Sequence, residues 1–247
     1  MPKQEFIFGV HAVEKLMTAA PARAVSLFMV RGAQNKRLRT LLAQAGRLGV
    51  PVELCAREEL DSKVAGAHQG IIAAVTPAAG LNEQQLREML SQAPGPALLL
   101  ILDGVQDPHN LGACLRSADG AGAQAVIVPK DKAVGLTGTV RKVASGAAEF
   151  TPLVQVTNLA RTLRWLKEAG VWLVGTSDDA SETLFELDLT GPVALVMGSE
   201  GGGLRRLTRE HCDYLVSLPM HGAVESLNVS VAAGICLYEA VRQRRAE

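Results

Sequence analysis

From residue 97 onward this 247-residue chain is built around five short, almost wholly apolar runs, at 97–102, 125–128, 171–175, 193–197 and 214–218. Segments with helical character, such as 159–168 and 204–211, separate most of them. A strand with one face in water alternates apolar and polar residues; these runs do not, so both of their faces must be covered. Near-continuous apolar strands alternating with helices call for a parallel sheet flanked by helices on both sides. In an open sheet of that kind, ligands gather in the crevice at the carboxyl ends of the strands. The loops that follow the runs are therefore where chemistry is to be sought.

Three of those loops share one plan of apolar strand, small polar loop and helix. Asn110-Leu111-Gly112-Ala113-Cys114-Leu115-Arg116 follows the first run, and Met197-Gly198-Ser199-Glu200-Gly201-Gly202-Gly203-Leu204 closes the fourth. The third is Ser226-Leu227-Asn228-Val229-Ser230, reached through Leu218-Pro219-Met220-His221-Gly222. Ser and Asn are good N-caps, so this last stretch is by itself also an ordinary strand-loop-helix corner. The free amides of a helix start beside a Pro-Met loop serve equally well to line a pocket. Three loops on one plan imply one composite site. The glycine loop is not a P-loop, because no Lys follows it, and it is not G-x-G-x-x-G. Glu200 would repel a pyrophosphate, so adenosine carrying a positively charged sulfonium suits this loop better than a nicotinamide dinucleotide.

The front of the chain reads as a smaller α/β unit, residues 1–76, with helices at 12–17, 35–48 and 57–64 and strands at 25–30, 50–55 and 69–75. Within 35–48, Leu38, Leu41, Leu42 and Ala45 fall on one face and the bases on the other. Residues 77–96, punctuated by Pro77, Gly80, Pro94, Gly95 and Pro96 around a short helix at 82–90, read as a linker to a second domain at 97–247. The formal net charge is zero, yet residues 1–76 carry 10 Lys+Arg against 6 Asp+Glu. No acid occurs between Lys15 and Val52, where Lys15, Arg23, Arg31, Lys36, Arg37, Arg39 and Arg47 all fall. That is either a solvated helix face or the footprint of a polyanionic partner. Cys55, Cys114, Cys212 and Cys236 have no metal-ligand spacing, so free buried thiols and no metal are expected. No apolar run approaches a membrane span and the first residues lack a signal-peptide core, so the expected location is cytoplasmic.

Taken together, Asn110-x-Gly112-x-x-x-Arg116, Gly198-x-Glu200-x-x-Gly203-Leu204 and Leu218-Pro219-Met220 with Ser226-Leu227-Asn228-Val229-Ser230 resemble, in order and spacing, the three motifs of the SpoU (TrmH) family of RNA ribose 2′-O-methyltransferases. The resemblance covers roughly 97–245. Phe8-Gly9-Val10-His11-Ala12-Val13 and His68-Gln69-Gly70-Ile71 are similar to recurrent pieces of that family's substrate-binding domain. The resemblance implies a SPOUT-type α/β fold, a parallel sheet whose C-terminal chain is tied into a deep trefoil knot, an exception to the rule against knots. It also implies a small L30e-like N-terminal domain.

The same resemblance implies S-adenosylmethionine as cofactor, held bent by the second and third motifs, and a homodimer buried over those loops. Gly198, Leu218 and Leu227 match cofactor contacts, and Met197, Met220 and Ser226 line the same loops. Asn110, Arg116, Glu200, Ser226 and Asn228 match the catalytic polar set, and nothing in the motifs departs from the pattern. His109 and His221 lie beside the motifs and are set aside as incidental. With both domains present, the nearest members methylate a guanosine ribose 2′-hydroxyl in the peptidyl-transferase region of bacterial 23S rRNA. Methylation of tRNA or of another rRNA nucleotide, and a non-catalytic RNA-binding module, are the alternatives; the module predicts a damaged motif, and all three are intact. RNA recognition is expected to fall to the N-terminal domain, through Lys and Arg on phosphates, with Phe6, Phe8 and Phe28 the few aromatics available there.

Overall fold

The structure, a computed structural model, describes residues 5–32, 35–64, 66–76 and 80–245. The chain forms two compact units, Met1–Ala79 and Gly80–Glu247.

The first unit holds strands β1 (Glu5–Phe8), β2 (Ala24–Val30), β3 (Val52–Cys55) and β4 (Ile71–Val75), with helices α1 (Val10–Ala19), α2 (Lys36–Leu48) and α3 (Arg57–Lys63). The sheet order is β1-β4-β2-β3. β4 is antiparallel to both of its neighbours, whereas β3 joins β2 in parallel. Every residue of the central β4 is buried, which explains its unbroken apolar sequence. β1 is absent from the sequence expectation. Four residues are too few to display alternation, and Gly9, at φ 92, turns the chain straight into α1. Here the two recurrent pieces meet: Gly9 N donates to Ile71 O at 3.2 Å, and Gln69 Oε1 accepts from Val10 N at 3.0 Å. Gln69 thus satisfies an orphan amide at the start of α1. Asn35 caps α2 through Arg37 N, and Leu38, Leu41 and Ala45 face the core. Leu42, expected beside them, is 40% exposed. The basic stretch is free of acids in sequence only, because Arg37 pairs with Glu14 at 2.6 Å, and Arg31 and Arg23 donate to the carbonyls of Leu54 and Thr76.

The second unit holds β5 (Leu98–Asp103), β6 (Ala125–Pro129), β7 (Leu153–Val156), β8 (Trp172–Thr176), β9 (Glu182–Thr183), β10 (Val193–Gly198) and β11 (Tyr214–Ser217). Its helices are α4 (Glu83–Gln92), α5 (Pro108–Ala121), α6 (Gly138–Ala144), α7 (Leu159–Glu168), α8 (Arg206–His211) and α9 (Val229–Arg245). The seven strands run in the order β7-β6-β5-β10-β8-β11-β9, and every pairing is parallel. Alternate residues of one strand feed two cores. Leu98, Leu100 and Leu102 pack with Leu111 and Leu115 of α5 and Leu237 of α9. Leu99 and Ile101 pack with Leu86 of α4 and Leu163 and Leu166 of α7. A strand that serves two cores cannot alternate, which is the pattern seen in the sequence.

β7 and β9 lie outside the five expected strands. β7 is four residues broken by Gln155, and β9 is a two-residue edge, so neither carries a usable hydrophobic pattern. α6 is likewise unanticipated; Thr137 opens it by accepting Val140 N. Of the expected linker, Pro77 lies outside the described residues, and the stretch from Gly80 onward packs on the second unit. Leu81 N donates to Leu153 O at 2.9 Å and Leu81 O accepts Gln155 N at 3.1 Å, extending the sheet beyond β7. Leu86 is fully buried, and burying a Leu contributes about 2 kcal/mol. β10 enters the sheet between β5 and β8, although both precede it in sequence. That reversal opens the crevice at the carboxyl ends of β5, β10, β8 and β11.

Candidate active site

β5 ends at Asp103, which is fully buried, and Gly104 follows at φ 93. Asp107 caps α5 by accepting His109 N at 3.1 Å and Asn110 N at 3.3 Å. The N-cap is therefore Asp107, and the Asn110 side chain is left for other work. β10 ends at Gly198, and the chain folds back on itself: Ser199 N donates to Gly203 O at 3.1 Å and Gly203 N to Ser199 O at 3.0 Å. A Cβ at Gly198 would lie 2.1 Å from Gly203 C, so only glycine fits that turn. Arg205, just beyond the loop, pairs through its guanidinium with Asp103, and its backbone N donates to the other carboxylate oxygen at 3.1 Å. This pair latches the end of β5 to the foot of the glycine loop.

The three loops converge on one carboxylate oxygen. Glu200 Oε1 accepts Asn110 Nδ2 at 3.0 Å and Asn228 Nδ2 at 2.7 Å, and Asn228 Nδ2 also reaches Asn110 Oδ1 at 2.9 Å. Asn228 Oδ1 faces the other way and accepts Ser230 N at 2.9 Å, opening α9. Asn228 is thus both a helix cap and a member of the trio. Glu200 Oε2 accepts no hydrogen bond among the described residues and is free to take one. Arg116 lies two turns into α5, is exposed, and makes no hydrogen bond or ion pair among the described residues. An Arg116–Glu200 ion pair does not form.

Beside the trio lies a cavity of about 550 Å³. Met197, Gly198, Leu218, Met220 and Leu227 all line it, together with Glu200, Ser226 and Asn228. Asn110 and Arg116 stand outside its wall. Sequence reasoning missed a fourth contributor: Thr176 at the end of β8, with Ser177 and Asp178 after it, and Arg209 of α8. The signal was present, since Thr176-Ser177-Asp178 repeats the plan of apolar strand and small polar loop. Arg209 donates to Ser177 Oγ at 2.7 Å and to both oxygens of Asp179 at 3.0 Å. The Ser177 hydroxyl, then Arg209, hold the Asp179 carboxyl below its ordinary range. With Arg209 so neutralised, Asp178, Glu200 and Glu225 leave the cavity an excess of negative charge. Adenosine has apolar walls in Met197, Leu218, Met220 and Leu227, and a cationic sulfonium or ammonium meets carboxylates. A polyphosphate would be repelled.

Burial pushes the Cys114 and Cys236 thiols up to about 12, and all four cysteines are free. Among the described residues no group of three or more His, Cys, Asp and Glu is placed to hold a metal, and no helix is long and apolar enough to cross a membrane.

An all-parallel sheet with a composite strand-end cavity, joined to a smaller α/β unit, defines a two-domain protein of the ligand-binding α/β class. A model of the SpoU rRNA Methylase family matches residues 97–238, and one described as RNA 2'-O ribose methyltransferase substrate binding matches residues 6–80. The chain belongs to the SpoU rRNA methylase family. It is 56% identical over 245 residues to the 23S rRNA (guanosine-2'-O-)-methyltransferase RlmB of Pseudomonas putida, covering 99% of each chain. To the protein of the same name from Vibrio cholerae it is 58% identical over 243 residues, 98% of each. Among solved structures, the SpoU methyltransferase AviRb of Streptomyces viridochromogenes in complex with AdoMet superposes with a TM-score of 0.71 at 27% identity, covering 99% of this chain and 92% of that one.

Proposed function

We propose that this chain transfers the methyl group of S-adenosylmethionine to a guanosine ribose 2′-hydroxyl of 23S rRNA, in the peptidyl-transferase region, acting as a homodimer. The observation that carries the reading is the convergence of Asn110, Glu200 and Asn228 beside an acid-lined cavity sized for adenosine, with Glu200 and Asn228 on its wall. Full-length relatives carrying both units support rRNA as the substrate class. In this reading residues 1–76 form the L30e-like substrate-binding domain, and the glycine loop and the 218–228 loop are the knotted segments.

The bound cofactor supplies an electrophilic methyl on a positively charged sulfur. Gly198, Leu218 and Leu227 hold the adenosine, with Met197 and Met220 packed beside it. Ser226 and Asn228 orient the ribose so that its 2′-oxygen lies in line with the methyl, which is most of what such a transfer requires. Glu200 Oε2 accepts the hydroxyl proton, while its Oε1 stays fixed by the two amides. When bound, the cofactor would give up its methyl to that oxygen and depart as a neutral thioether, so this chain need only position the oxygen and take its proton. Arg116 is a permanent cation and cannot take that proton; it clamps the phosphodiester next to the target ribose.

The test is transfer of labelled methyl to protein-free 23S rRNA, with the modified nucleotide mapped. Label on one guanosine ribose is expected. Label on tRNA alone would move the substrate, and label on neither would overturn the reading.

A further inference from the structure

We propose that a second groove, of about 500 Å³ between the start of α5 and α6, holds the phosphodiester backbone flanking the methylated nucleotide, with Lys142 as its principal cation and His109 as a hydrogen-bonding partner. The proposal rests on the RNA methylation reading above. His109, Thr139, Lys142 and Ser145 line the groove, and all four side chains are exposed. Gly112 sets its depth. A Cβ there would lie 2.6 Å from Val143 Cβ and 2.9 Å from Val140 O, so α5 and α6 meet backbone to side chain just below the groove. His109 immediately precedes Asn110, so the groove adjoins the trio, and it shares no lining residue with the adenosine cavity.

Charge separates the two cavities. Arg87, Arg141, Arg161, Lys167, Arg205, Arg206, Arg209 and Arg242 of the second unit are engaged by carboxylates. Arg244 is held by main-chain carbonyls, and among the described residues of that unit the cations whose side chains have no partner are Arg116, Lys130, Lys132, Lys142, Arg164 and Arg245. The first four sit on α5, on α6, or on the segment that joins β6 to α6. That segment is tied to the loop after β5 by Val134 N donating to Val105 O at 3.2 Å. Asp131 is the one acid between Lys130 and Lys142, and the Asp107 carboxylate is occupied by the amides of His109 and Asn110. Of these unpaired cations Lys142 lines the polar groove, while the other cavity is lined by acids. A cationic methyl donor and a polyanionic acceptor are kept apart and meet at Asn110, Glu200 and Asn228. Since the 2′-oxygen lies next to its own 3′-phosphate, a ribose at the trio carries phosphate close to His109 and the groove it lines.

Full-length wild type, Lys142→Gln and Arg164→Gln are compared on a protein-free 23S rRNA fragment. Three quantities are measured: the slope of log Kd against log salt, KM for the RNA, and Kd for S-adenosylmethionine. Lys142→Gln should lower the slope by about 1 and raise KM for RNA about five- to eightfold at 0.1 M salt, as loss of one phosphate contact demands. Cofactor affinity should not change. Arg164, equally unpaired but on α7, controls for charge alone, and its variant should match wild type. Thr139→Glu, which puts an anion in the groove and spares every cation, should weaken RNA binding at least as much as Lys142→Gln. An unchanged slope and KM for Lys142→Gln, or equal losses in Lys142→Gln and Arg164→Gln, would overturn the groove. Wild type that binds the RNA and the cofactor but transfers no methyl would sink the methylation reading instead, with the slopes still reporting on the groove.

Discussion

Asn228 Nδ2 donates to Glu200 Oε1 at 2.7 Å, and that same oxygen takes Asn110 Nδ2 at 3.0 Å, so one atom ties together loops that are far apart in sequence. Glu200→Ala strands the Asn110 amide donor, on a residue only 8% exposed, while Asn228 Nδ2 keeps Asn110 Oδ1 as an acceptor. An unsatisfied buried donor costs about 1–3 kcal/mol, and methyl transfer should fall by at least about 100-fold. Glu200→Gln keeps a carbonyl oxygen that can accept the same amides, so thermal stability should recover while transfer stays low. A fully active Glu200→Gln enzyme would remove Glu200 as the proton acceptor.

Gly198 faces backbone, not a flexible side chain. The added methyl of Gly198→Ala would meet Gly203 C at 2.1 Å, Gly203 O at 2.3 Å and Leu204 N at 2.5 Å, so the glycine loop must open. Overpacking of this kind costs roughly 1–3 kcal/mol. Calorimetry should find S-adenosylmethionine binding lost. Gly191→Ala has open space around it and should bind normally. Retained cofactor affinity in Gly198→Ala would mean that the loop does not form the cofactor wall.

The Asp103–Arg205 pair joins a fully buried carboxylate to a guanidinium that is 44% exposed. Arg205→Met leaves Asp103 buried without its counter-charge. Such losses reach about 3–5 kcal/mol at full burial, and the partial exposure of Arg205 reduces the expectation to roughly 2 kcal/mol. Replacing both, as Asp103→Asn with Arg205→Met, should cost less than Arg205→Met alone. Denaturant titration of the two variants decides it, and a double variant less stable than the single would contradict the pairing.

The strands of the second unit were legible because burial on both faces writes itself as uninterrupted apolar sequence. The three motif loops were legible only as a set, because Asn and Ser at a helix start are also ordinary caps and any one of the loops alone reads as a common corner. β1, β7 and β9 were not, since strands of two to four residues get their stability from neighbours and not from their own pattern. The packing of 80–96 was hidden by prolines that read as a break, while the helix inside it is mostly polar and fully buries only Leu86, with Met89 and Leu90 partly buried beside it. Arg205 and Arg209 were invisible for a different reason. Each acts through a carboxylate on another segment, Asp103 at the end of β5 and Asp179 after β8. The trio was readable as a set of residues, but its shared Glu200 oxygen exists only in three dimensions.

Glu83, on the stretch that read as linker, is clamped by Arg87 at 3.0 Å and Arg161 at 3.2 Å, tying α4 to α7. Burial pushes its carboxyl up, but the hydrogen bonds from the two guanidinium groups outweigh that, and the net position is below the ordinary 4.5. A carboxyl depressed in the folded state stabilises the fold above its unfolded pKa and loses that contribution as pH falls through the folded value. Arg161 is 62% exposed, so solvent screening limits the contribution to about 1 kcal/mol. Melting curves of wild type and Glu83→Gln should differ at pH 6–7 and converge as pH drops below about 4. A gap that widens in acid would contradict the assigned direction.

Arg116 is exposed and unpartnered among the described residues, so nothing in the folded chain depends on its side chain. Arg116→Ala should therefore melt with wild type and bind S-adenosylmethionine with its affinity nearly intact. Transfer should be abolished if the guanidinium is what holds the phosphodiester beside the target ribose. The salt slope for RNA binding should fall by about 1, the share of one phosphate contact. Arg116→Lys keeps the charge but not the planar fork that grips two phosphate oxygens. It should regain the slope and little of the rate, because the loss lies in orientation and not in attraction. Full activity in Arg116→Ala would take Arg116 out of the site, and full rescue by Lys would reduce its part to charge alone.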